Sequence, residues 1–526
     1  LVQARVADEL GLPMTRVRVQ VPRVGGGFGG KHASNIHSIA AALALAVGKP
    51  VKLALSRSED FEIQRCRHPA SIRMRTGARR NGTIVAREAE ILLDGGAYAD
   101  ESPAVLNFAV LMARGPYRIP HFRIRGKALY TNKLRAGAFR GFGNPQAGFA
   151  GESQIDELAA KLGRDPVELR LANVLRDGER WAGGHSLPSC KAGACLEAVS
   201  QAAKAAPVLP PRAGHRRGLG VAAFAHVSGL LGTGAAVALK GDGTIALSTG
   251  AVDIGQGSDT VLSQICAEAL AVPVSSVAIA SPDSDTSPYN WKTAGSRTTY
   301  MTGRAVAAAA LEVKQKILQQ AAEIMECAAQ DLELRPGGKV GLAGVPEKTV
   351  GFRDIAMRSM YFAGGQITGH HSFVYDGERL DPKRAMMDGF AFTNLGVYVF
   401  GAQAVEIDVD EATGKIEVLR AWSAHDVGRA INPMAIEGQV QGGFVQGLGY
   451  ALTEEMVWDT DGRLANPTLA EYACPGAGDV PAKIEAIILE DPEPTGPFGA
   501  KGVGEPAMVG VAPAIANALA AATGAR

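Results

Sequence analysis

A cluster of glycines stands near the start of the chain, in the segment VPRVGGGFGGKH at residues 21–32. Loops of this kind bring backbone N–H groups close to phosphates, because no side chain stands in the way. From Gly25 the segment matches the P-loop pattern, except that His32 replaces the Ser or Thr that binds Mg²⁺. It also matches G-x-G-x-x-G, although the acidic residue that binds the ribose is missing from the end of the next strand. An NADP-dependent dehydrogenase therefore stays open as one hypothesis.

Four more glycine loops follow far downstream. They are AFRGFGNPQ at 138–146, DIGQG at 253–257, EGQVQGGFVQGLG at 437–449 and GAKGVGEP at 499–506. Three of them carry a side chain that can donate to an anion, namely Arg140, Gln256 and Gln439. Because a dinucleotide needs only one such loop, five loops predict a single extended, phosphate-bearing cofactor.

Composition limits the scaffold that must position these loops. A chain of 526 residues predicts two or more domains, and a net charge of +1 gives no field that would attract a polyanion. The six cysteines form no C-x-x-C pair, which predicts reduced thiols and no iron–sulfur cluster in this chain. The longest apolar runs, near 39–47 and 509–523, are short or interrupted, so no membrane span is predicted.

The elements around the loops mix helices and strands. VRVQV, VKLALS and TIVAREAEILL read as strands, and IDELAAKLGRDPVELRLANVL reads as helical. Later segments predict a hairpin around Gly241–Gly243, a helix from about Gly303 to Leu332, a hairpin in AVEIDVDEATGKIEVL and a terminal helix after Pro506. We expect an α+β fold of mixed sheets layered with helices, in two successive domains at 1–206 and 218–526, joined by a Pro- and Arg-rich linker at 207–217.

The glycine loops, taken in order with TAGSR at 293–297 and HDVGRAINP at 425–433, carry a family resemblance. The chain resembles the molybdopterin-binding large subunit of the xanthine oxidase and aldehyde oxidase family of molybdenum hydroxylases. The resemblance begins partway into that subunit, so we expect the N-terminal part to be missing here. It implies two molybdopterin-binding domains and a cofactor of molybdenum with molybdopterin or its cytosine dinucleotide form.

The resemblance also implies a set of site residues. Phe28 and Gly29 would lie beside the metal's oxo and sulfido ligands, and molybdenum would be held by the pterin dithiolene with no direct protein ligand. The remaining cofactor contacts would come from Arg140, Gln256, Ala294, Gly295, Ser296 and Gln439. Glu505 matches the catalytic carboxylate, which would take a proton from the water-derived nucleophile.

Departures from the family bear on the substrate. Xanthine-hydroxylating members have a Glu and an Arg at the positions held here by His32 and Phe108. A site that binds a purine through hydrogen bonds selects its substrate by those bonds. Because this chain has neither of the two polar side chains, we do not expect xanthine to be its substrate. Phe142 and Phe224 would complete a more apolar lining. We therefore expect oxidation of a C–H bond of an aldehyde or an aromatic N-heterocycle, with water as the oxygen source.

The electron acceptors implied by the resemblance are 2Fe-2S clusters and FAD on partner subunits, in a dimer of heterotrimers. We expect a cytoplasmic complex, or a periplasmic one if a partner supplies the signal. SPYNWKTAGSR resembles the aromatic acyl-CoA reductases of the same family equally well, so that activity stays an alternative. A non-catalytic assembly subunit is the other alternative, and the retained Glu505 argues against it.

Overall fold

The structure is a computed structural model that describes residues 2–32, 36–181, 184, 186–375 and 395–526. The α-helices of the described residues are α1 (Val2–Glu9), α2 (His37–Val47), α3 (Arg57–Ile63), α4 (Ser102–Met112), α5 (Asn144–Leu162), α6 (Pro166–Asn173), α7 (Ala192–Ala205), α8 (Ser258–Leu270), α9 (Gly303–Met325), α10 (Phe352–Phe362), α11 (Pro433–Leu452) and α12 (Val511–Thr523). The strands are β1 (Ala70–Ala78), β2 (Ile84–Asp94), β3 (His121–Leu129), β4 (His215–Leu230), β5 (Thr233–Leu239), β6 (Ile245–Thr249), β7 (Val277–Ile279), β8 (Leu332–Arg335), β9 (Lys339–Leu342), β10 (Thr349–Gly351), β11 (Thr368–Phe373), β12 (Leu395–Asp410), β13 (Ile416–Gly428) and β14 (Ile484–Glu490).

The chain forms two compact units that are interleaved along the sequence. The first unit comprises Leu1–Gly26, Gly229–Asp376 and Thr495–Gly502. The second unit comprises Gly27–Ser228, Gly377–Pro494 and Val503–Arg526. Residues 206–214 connect α7 to β4 within the second unit, so the predicted linker at 207–217 includes the first three residues of β4; the domain boundaries expected at 206 and 218 stay a prediction.

The second unit contains two mixed sheets, in the orders β1-β2-β3 and β14-β13-β12-β4. In each of them antiparallel pairing is combined with one parallel pair, β2 with β3 and β13 with β14. Its core packs Val405 and Ile407 of β12 against Phe444 of α11 and Ile515 of α12. Burial of these apolar side chains fixes α11 and α12. The segment 437–449, predicted as a glycine loop, is helical and lies within α11, whereas α12 follows the last glycine loop.

The first unit contains the sheets β11-β5-β6-β7 and β10-β9-β8, with α8 and α9 packed together. Here too β5 and β6 are antiparallel while β6 and β7 are parallel. Mixed sheets layered with helices in both units confirm the predicted fold class.

The local predictions succeeded where the pattern was long. Both hairpins are present, as β5–β6 and β12–β13, and a helix does follow Pro506. The helix expected to reach Leu332 ends at Met325, because Glu326 adopts the left-handed conformation with φ 51°. The long helical segment after Gly143 is divided into α5 and α6 at Gly163, which is also left-handed.

Two strand predictions were wrong. Within VRVQV only Gln20 pairs, in an isolated bridge to Asp283. VKLALS at 51–56 is extended with alternating exposure, yet it joins no strand of the described residues. Alternation marks an extended segment, but a strand also needs a neighbour to pair with.

One helical stretch of the described residues, Pro506–Thr523, is long and apolar enough to cross a membrane by length and composition. Of that stretch, 67% is buried inside the structure, where α12 packs on β12 and α5. The same length and composition are common in helices at the core of a folded protein.

Candidate active site and cofactor loops

The second glycine loop is held in a conformation that few residues can adopt. Gly141, Phe142 and Gly143 have φ of 91°, 49° and 91°, three left-handed residues in a row. A Cβ on Gly141 would lie 2.6 Å from Cγ of Pro145, and one on Gly143 would lie 2.6 Å from the carbonyl oxygen of Val105. Glycine is therefore required at both positions. The turn directs the backbone N–H of Gly141 toward the last glycine loop and starts α5.

The carboxylate of Glu505 accepts a hydrogen bond from the backbone N–H of Gly141. Its Oε2 lies 3.2 Å from the nitrogen of Gly141 and 3.1 Å from Nε2 of His226. The side chain of Glu505 is 18% exposed, whereas that of His226 is 1% exposed. Glu505 stands directly before the short turn Pro506–Met508 that leads into α12. A carboxylate with fixed neighbours and partial access has the arrangement expected of a proton acceptor.

Arg140 links its own loop to the last glycine loop and to α11, all in the second unit. Its Nε donates to the carbonyl of Gly504 at 2.7 Å, and its Nη2 donates to the carbonyl and to Oε1 of Gln439 at 3.1 and 3.2 Å. Nη1 lies 3.4 Å from Oε1 of Gln446. Burial lowers the pKa of Arg140 to about 10, and the Glu505 carboxylate opposes part of that shift. The guanidinium remains charged at neutral pH and holds Gly504 and Gln439 in place.

A second, partly buried arginine, Arg67, contacts the same loop. The guanidinium of Arg67 lies 4.3 Å from the ring centre of Phe139 and 4.9 Å from that of Tyr450. It donates to the carbonyl of Arg140 at 2.7 Å and to Oε1 of Gln146 at 3.2 Å. Burial lowers its pKa to about 10. Cation–π contacts on two rings compensate for part of the lost hydration.

The first glycine loop meets the second through Gly29. A Cβ at Gly29 would overlap the carbonyl oxygen of Ala138. The neighbouring Phe28 is 51% exposed with φ 50°, and the Arg140 guanidinium lies 5.7 Å from its ring centre. The second unit thus brings Phe28, Gly29, Arg140, Gln439 and Glu505 together.

The predicted substrate residues also lie in the second unit. Phe108 is 5% exposed, and its ring centre lies 6.0 Å from that of Phe142. Nδ1 of His32 lies 3.7 Å from Oε1 of Glu101, and Glu101 is the residue that precedes α4.

Phe224 is placed differently. It is 2% exposed, its ring fills the space beside Gly401, and its centre lies 5.2 Å from that of His425. Phe108 and Phe142 therefore form one aromatic contact, while Phe224 lies in the core. The substrate roles of all four residues stay predictions.

The other predicted cofactor residues lie in the first unit. Oε1 of Gln256 accepts from the nitrogen of Ile254 at 2.7 Å, and Thr293 Oγ1 accepts from the nitrogen of Val252 at 3.0 Å. The first bond is internal to the DIGQG loop, and the second joins the residue before that loop to the segment that carries Ala294, Gly295 and Ser296. The first unit thus brings these four residues into two adjoining loops, and their roles in cofactor binding stay predictions.

Sequence reasoning missed Arg67, Asn144 and His226. His226 is a lone imidazole within the apolar strand segment AAFAHVSG, and Asn144 directly follows the left-handed turn. A polar residue inside a buried strand needs a partner. That signal could have drawn attention to His226, but the partner itself, 279 positions away, is not readable from local pattern.

The residues present fit a pterin-type molybdenum cofactor. The first loop leaves Phe28 half exposed, and a Cβ at Gly25 would meet nothing within 4 Å, so there is open space beside this loop. Within the described ranges, no group of three His, Cys, Asp or Glu could hold a metal ion. A donor set of backbone amides and glutamines suits a cofactor that brings its own metal ligands.

Comparison with known proteins agrees with this fit. The molybdopterin cofactor-binding domain family matches residues 1–174 with one model and 194–481 with a second. The chain is 36% identical to the putative xanthine dehydrogenase molybdenum-binding subunit XdhA of Escherichia coli K12, over 100% of this chain and 69% of that protein. It is 31% identical to the aldehyde oxidoreductase of Megalodesulfovibrio gigas, over 99% of this chain and 54% of that protein. Among solved structures, quinoline 2-oxidoreductase from Pseudomonas putida 86 superposes with a TM-score of 0.87 at 29% identity, over 99% of this chain and 68% of that one.

These findings confirm the resemblance carried by the glycine loops, and with it molybdopterin as the cofactor. The NADP-dependent dehydrogenase is set aside, because the Gly25–Gly30 loop lies inside the first matched molybdopterin domain. XdhA is named as a subunit of a larger enzyme. The chain belongs to the molybdopterin-binding catalytic subunits of the xanthine dehydrogenase and aldehyde oxidoreductase family, the molybdenum hydroxylases.

Proposed function

We propose that this chain oxidises a C–H bond of an aldehyde or an aromatic N-heterocycle, with Glu505 as the base. The overall reaction converts R–H and water into R–OH, two electrons and two protons. When bound, the molybdenum cofactor supplies the two-electron acceptor and the site of water activation. The observation that carries the proposal is the carboxylate of Glu505, held by the N–H of Gly141 next to buried Arg140.

The chain's own residues have three tasks in this proposal. In the second unit, Phe28, Gly29 and Gln439 are the proposed cofactor contacts; in the first unit, they are Gln256 and residues 294–296. Arg140 fixes the backbone before Glu505 through the carbonyl of Gly504. Glu505 accepts a proton from the water-derived nucleophile, and its 18% exposure leaves a path for that proton to reach solvent.

The electrons require partners. The sequence lacks the cysteine spacing of an iron–sulfur cluster. We therefore place 2Fe-2S clusters and FAD on partner subunits, in a cytoplasmic dimer of heterotrimers. Retention of Glu505 in a constrained hydrogen-bonded setting favours a catalytic subunit over an assembly subunit. Reduction of an aromatic acyl-CoA would use the same loops and remains the alternative chemistry.

The test is Glu505→Gln in the purified, molybdenum-loaded complex. Gln keeps the size of the side chain but cannot accept the proton, so single-turnover reduction by substrate should slow by about 10² to 10⁴ at unchanged molybdenum content. Glu406→Gln is the matched control, since Glu406 belongs to the same unit, is 17% exposed, about as much as Glu505, and pairs with Arg420 instead of with a residue of the site. A fully loaded Glu505→Gln enzyme within about tenfold of wild type would show that Glu505 is not the base.

A further inference from the structure

His226 is a buried imidazole that contacts the carboxylate of Glu505. It stands in β4 among small apolar residues and is 1% exposed. The ring of Phe108 packs against the imidazole of His226, with the two ring centres 5.3 Å apart. Nε2 lies 3.1 Å from Oε2 of Glu505. An imidazole in this position can act either as a donor that holds the carboxylate or as a base of its own.

Asn144 decides between these roles. Its Nδ2 lies 2.8 Å from the carbonyl oxygen of Ala225, and because a carbonyl only accepts, the amide NH₂ must face that way. The same NH₂ lies 3.1 Å from Nδ1 of His226. Nδ1 is therefore an acceptor, and the single proton of the neutral ring resides on Nε2. His226 consequently donates to Glu505.

The second donor on Glu505 acts on the same oxygen. The N–H of Gly141 and the Nε2–H of His226 both meet Oε2, at 3.2 and 3.1 Å. Two donors on one oxygen fix the rotation of the carboxylate plane. Gly141 and Asn144 belong to the same left-handed turn and helix start, so the loop that supplies one donor also orients the other.

We propose that Asn144 and His226 are positioning residues for Glu505: Asn144 fixes the Nε2–H tautomer of His226, and His226 orients the carboxylate and favours its charged form without taking the proton itself. The proposal rests on the function proposed above for Glu505. Among the described residues, the charges of Arg67 and Arg140 act on Glu505, and neither changes near neutral pH. A donor to a carboxylate stabilises the ionised form, so its removal should shift titration of Glu505 to higher pH.

The experiment compares His226→Phe with His226→Gln in the complete complex. Phe keeps a flat ring but has no donor, whereas the Gln amide can still donate to Glu505. The first readout is carboxyl labelling of Glu505 by a water-soluble carbodiimide, followed by peptide mass spectrometry as a function of pH. Because a hydrogen bond to a charged group contributes about 1.5–3 kcal/mol, the labelling midpoint should rise by roughly 1 to 2 pH units in His226→Phe. It should stay within about 0.5 unit of wild type in His226→Gln.

The second readout is the pH profile of single-turnover reduction. In His226→Phe the acid limb should move in the same direction as the labelling midpoint, with the limiting rate reduced by about 10- to 100-fold and substrate affinity unchanged. Equal defects in His226→Gln and His226→Phe would overturn the proposal, since they would mean that the imidazole itself exchanges the proton. An unchanged labelling midpoint in folded His226→Phe would also overturn it.

Asn144→Ala gives an independent arm if His226→Phe does not fold. This variant keeps His226 but removes the donor that holds the ring proton on Nε2. The labelling midpoint of Glu505 should therefore rise by a smaller amount than in His226→Phe. No change in Asn144→Ala would overturn the role of Asn144. The labelling arm does not depend on catalysis. A shifted midpoint together with an active Glu505→Gln enzyme would therefore refute the base assignment and leave the hydrogen-bond chain intact.

Discussion

The two ends of α5 allow a matched test of why the second glycine loop needs glycine. Gly143 precedes the helix and Gly163 follows it, and both are left-handed, with φ of 91° and 62°. A Cβ on Gly143 would lie 2.6 Å from the carbonyl oxygen of Val105 in α4, whereas a Cβ on Gly163 would meet nothing within 4 Å. Gly143→Ala and Gly163→Ala thus share the backbone penalty and differ in the clash.

The expected magnitudes follow from those two contributions. A left-handed alanine costs about 1–2 kcal/mol, which both variants should lose. The overlap at Gly143 forces α4 or the turn to move, and overpacking of this kind costs typically about 1–3 kcal/mol more. Gly143→Ala should therefore unfold at a temperature at least roughly 2 °C below that of Gly163→Ala, at about 2 °C per kcal/mol for a unit of this size.

The assay is thermal unfolding of both variants in the molybdenum-loaded complex, with molybdenum content and single-turnover rate measured on the same samples. Because Gly143 is adjacent to Asn144 and near Gly141, its variant should also lose rate, while Gly163→Ala should retain the wild-type rate. Equal melting temperatures and equal rates for the two variants would refute the argument that the turn is held by close backbone contact.

Two further expectations concern substrate and acid stability. On the predicted substrate roles of His32 and Phe108, which replace the polar purine anchors of xanthine-hydroxylating members, kcat/KM for xanthine should lie at least about 100-fold below that for the best aldehyde or N-heterocycle; comparable values would contradict those roles. In the first unit, the hydrogen bond from Arg18 holds the pKa of Asp283 well below its usual range. The pair therefore stabilises the fold fully above about pH 4, the ordinary pKa of Asp. That stabilisation is lost as the pH falls through the lowered pKa of Asp283. The gap in Tm between wild type and Asp283→Asn should accordingly narrow from pH 5 toward about pH 3, and a gap that stays constant over this range would count against the assignment.

Features set by local sequence were largely predictable. The hairpin of β12 and β13 turns at a segment rich in turn-forming residues. The order of the glycine motifs in the sequence was sufficient to identify the family. The end of α9 at Met325 was not predictable, because nothing in its residue types marks Glu326 as left-handed. VKLALS at 51–56 was wrongly predicted to be a strand. The exposure of its residues alternates, but the segment pairs with no strand of the described residues.

The candidate site was predictable only in part. Glu505 and Arg140 belong to recognisable motifs, but their connection through Gly504 spans 364 positions and depends on tertiary folding. His226 carries no motif at all, and its meaning appears only when Asn144 and Glu505 are seen on either side of its ring. Long-range polar contacts of this kind leave little trace in a single sequence.

The interleaving of the two units has a consequence for the order in which the protein can form. The segment Gly27–Ser228 belongs to a unit that is completed only by Val503–Arg526, which supplies Glu505 and α12. About 275 residues separate the ends of those segments, and at 5–20 residues per second the ribosome needs roughly 15–55 s to make them. During that interval α5 and β4 lack α12, which packs against both, so the second unit cannot be completed until residues 503–526 have been translated. Glu505 therefore joins the other site residues of the second unit only after residues 503–526 have been made, and until then the apolar surface that α12 buries has no cover from that helix.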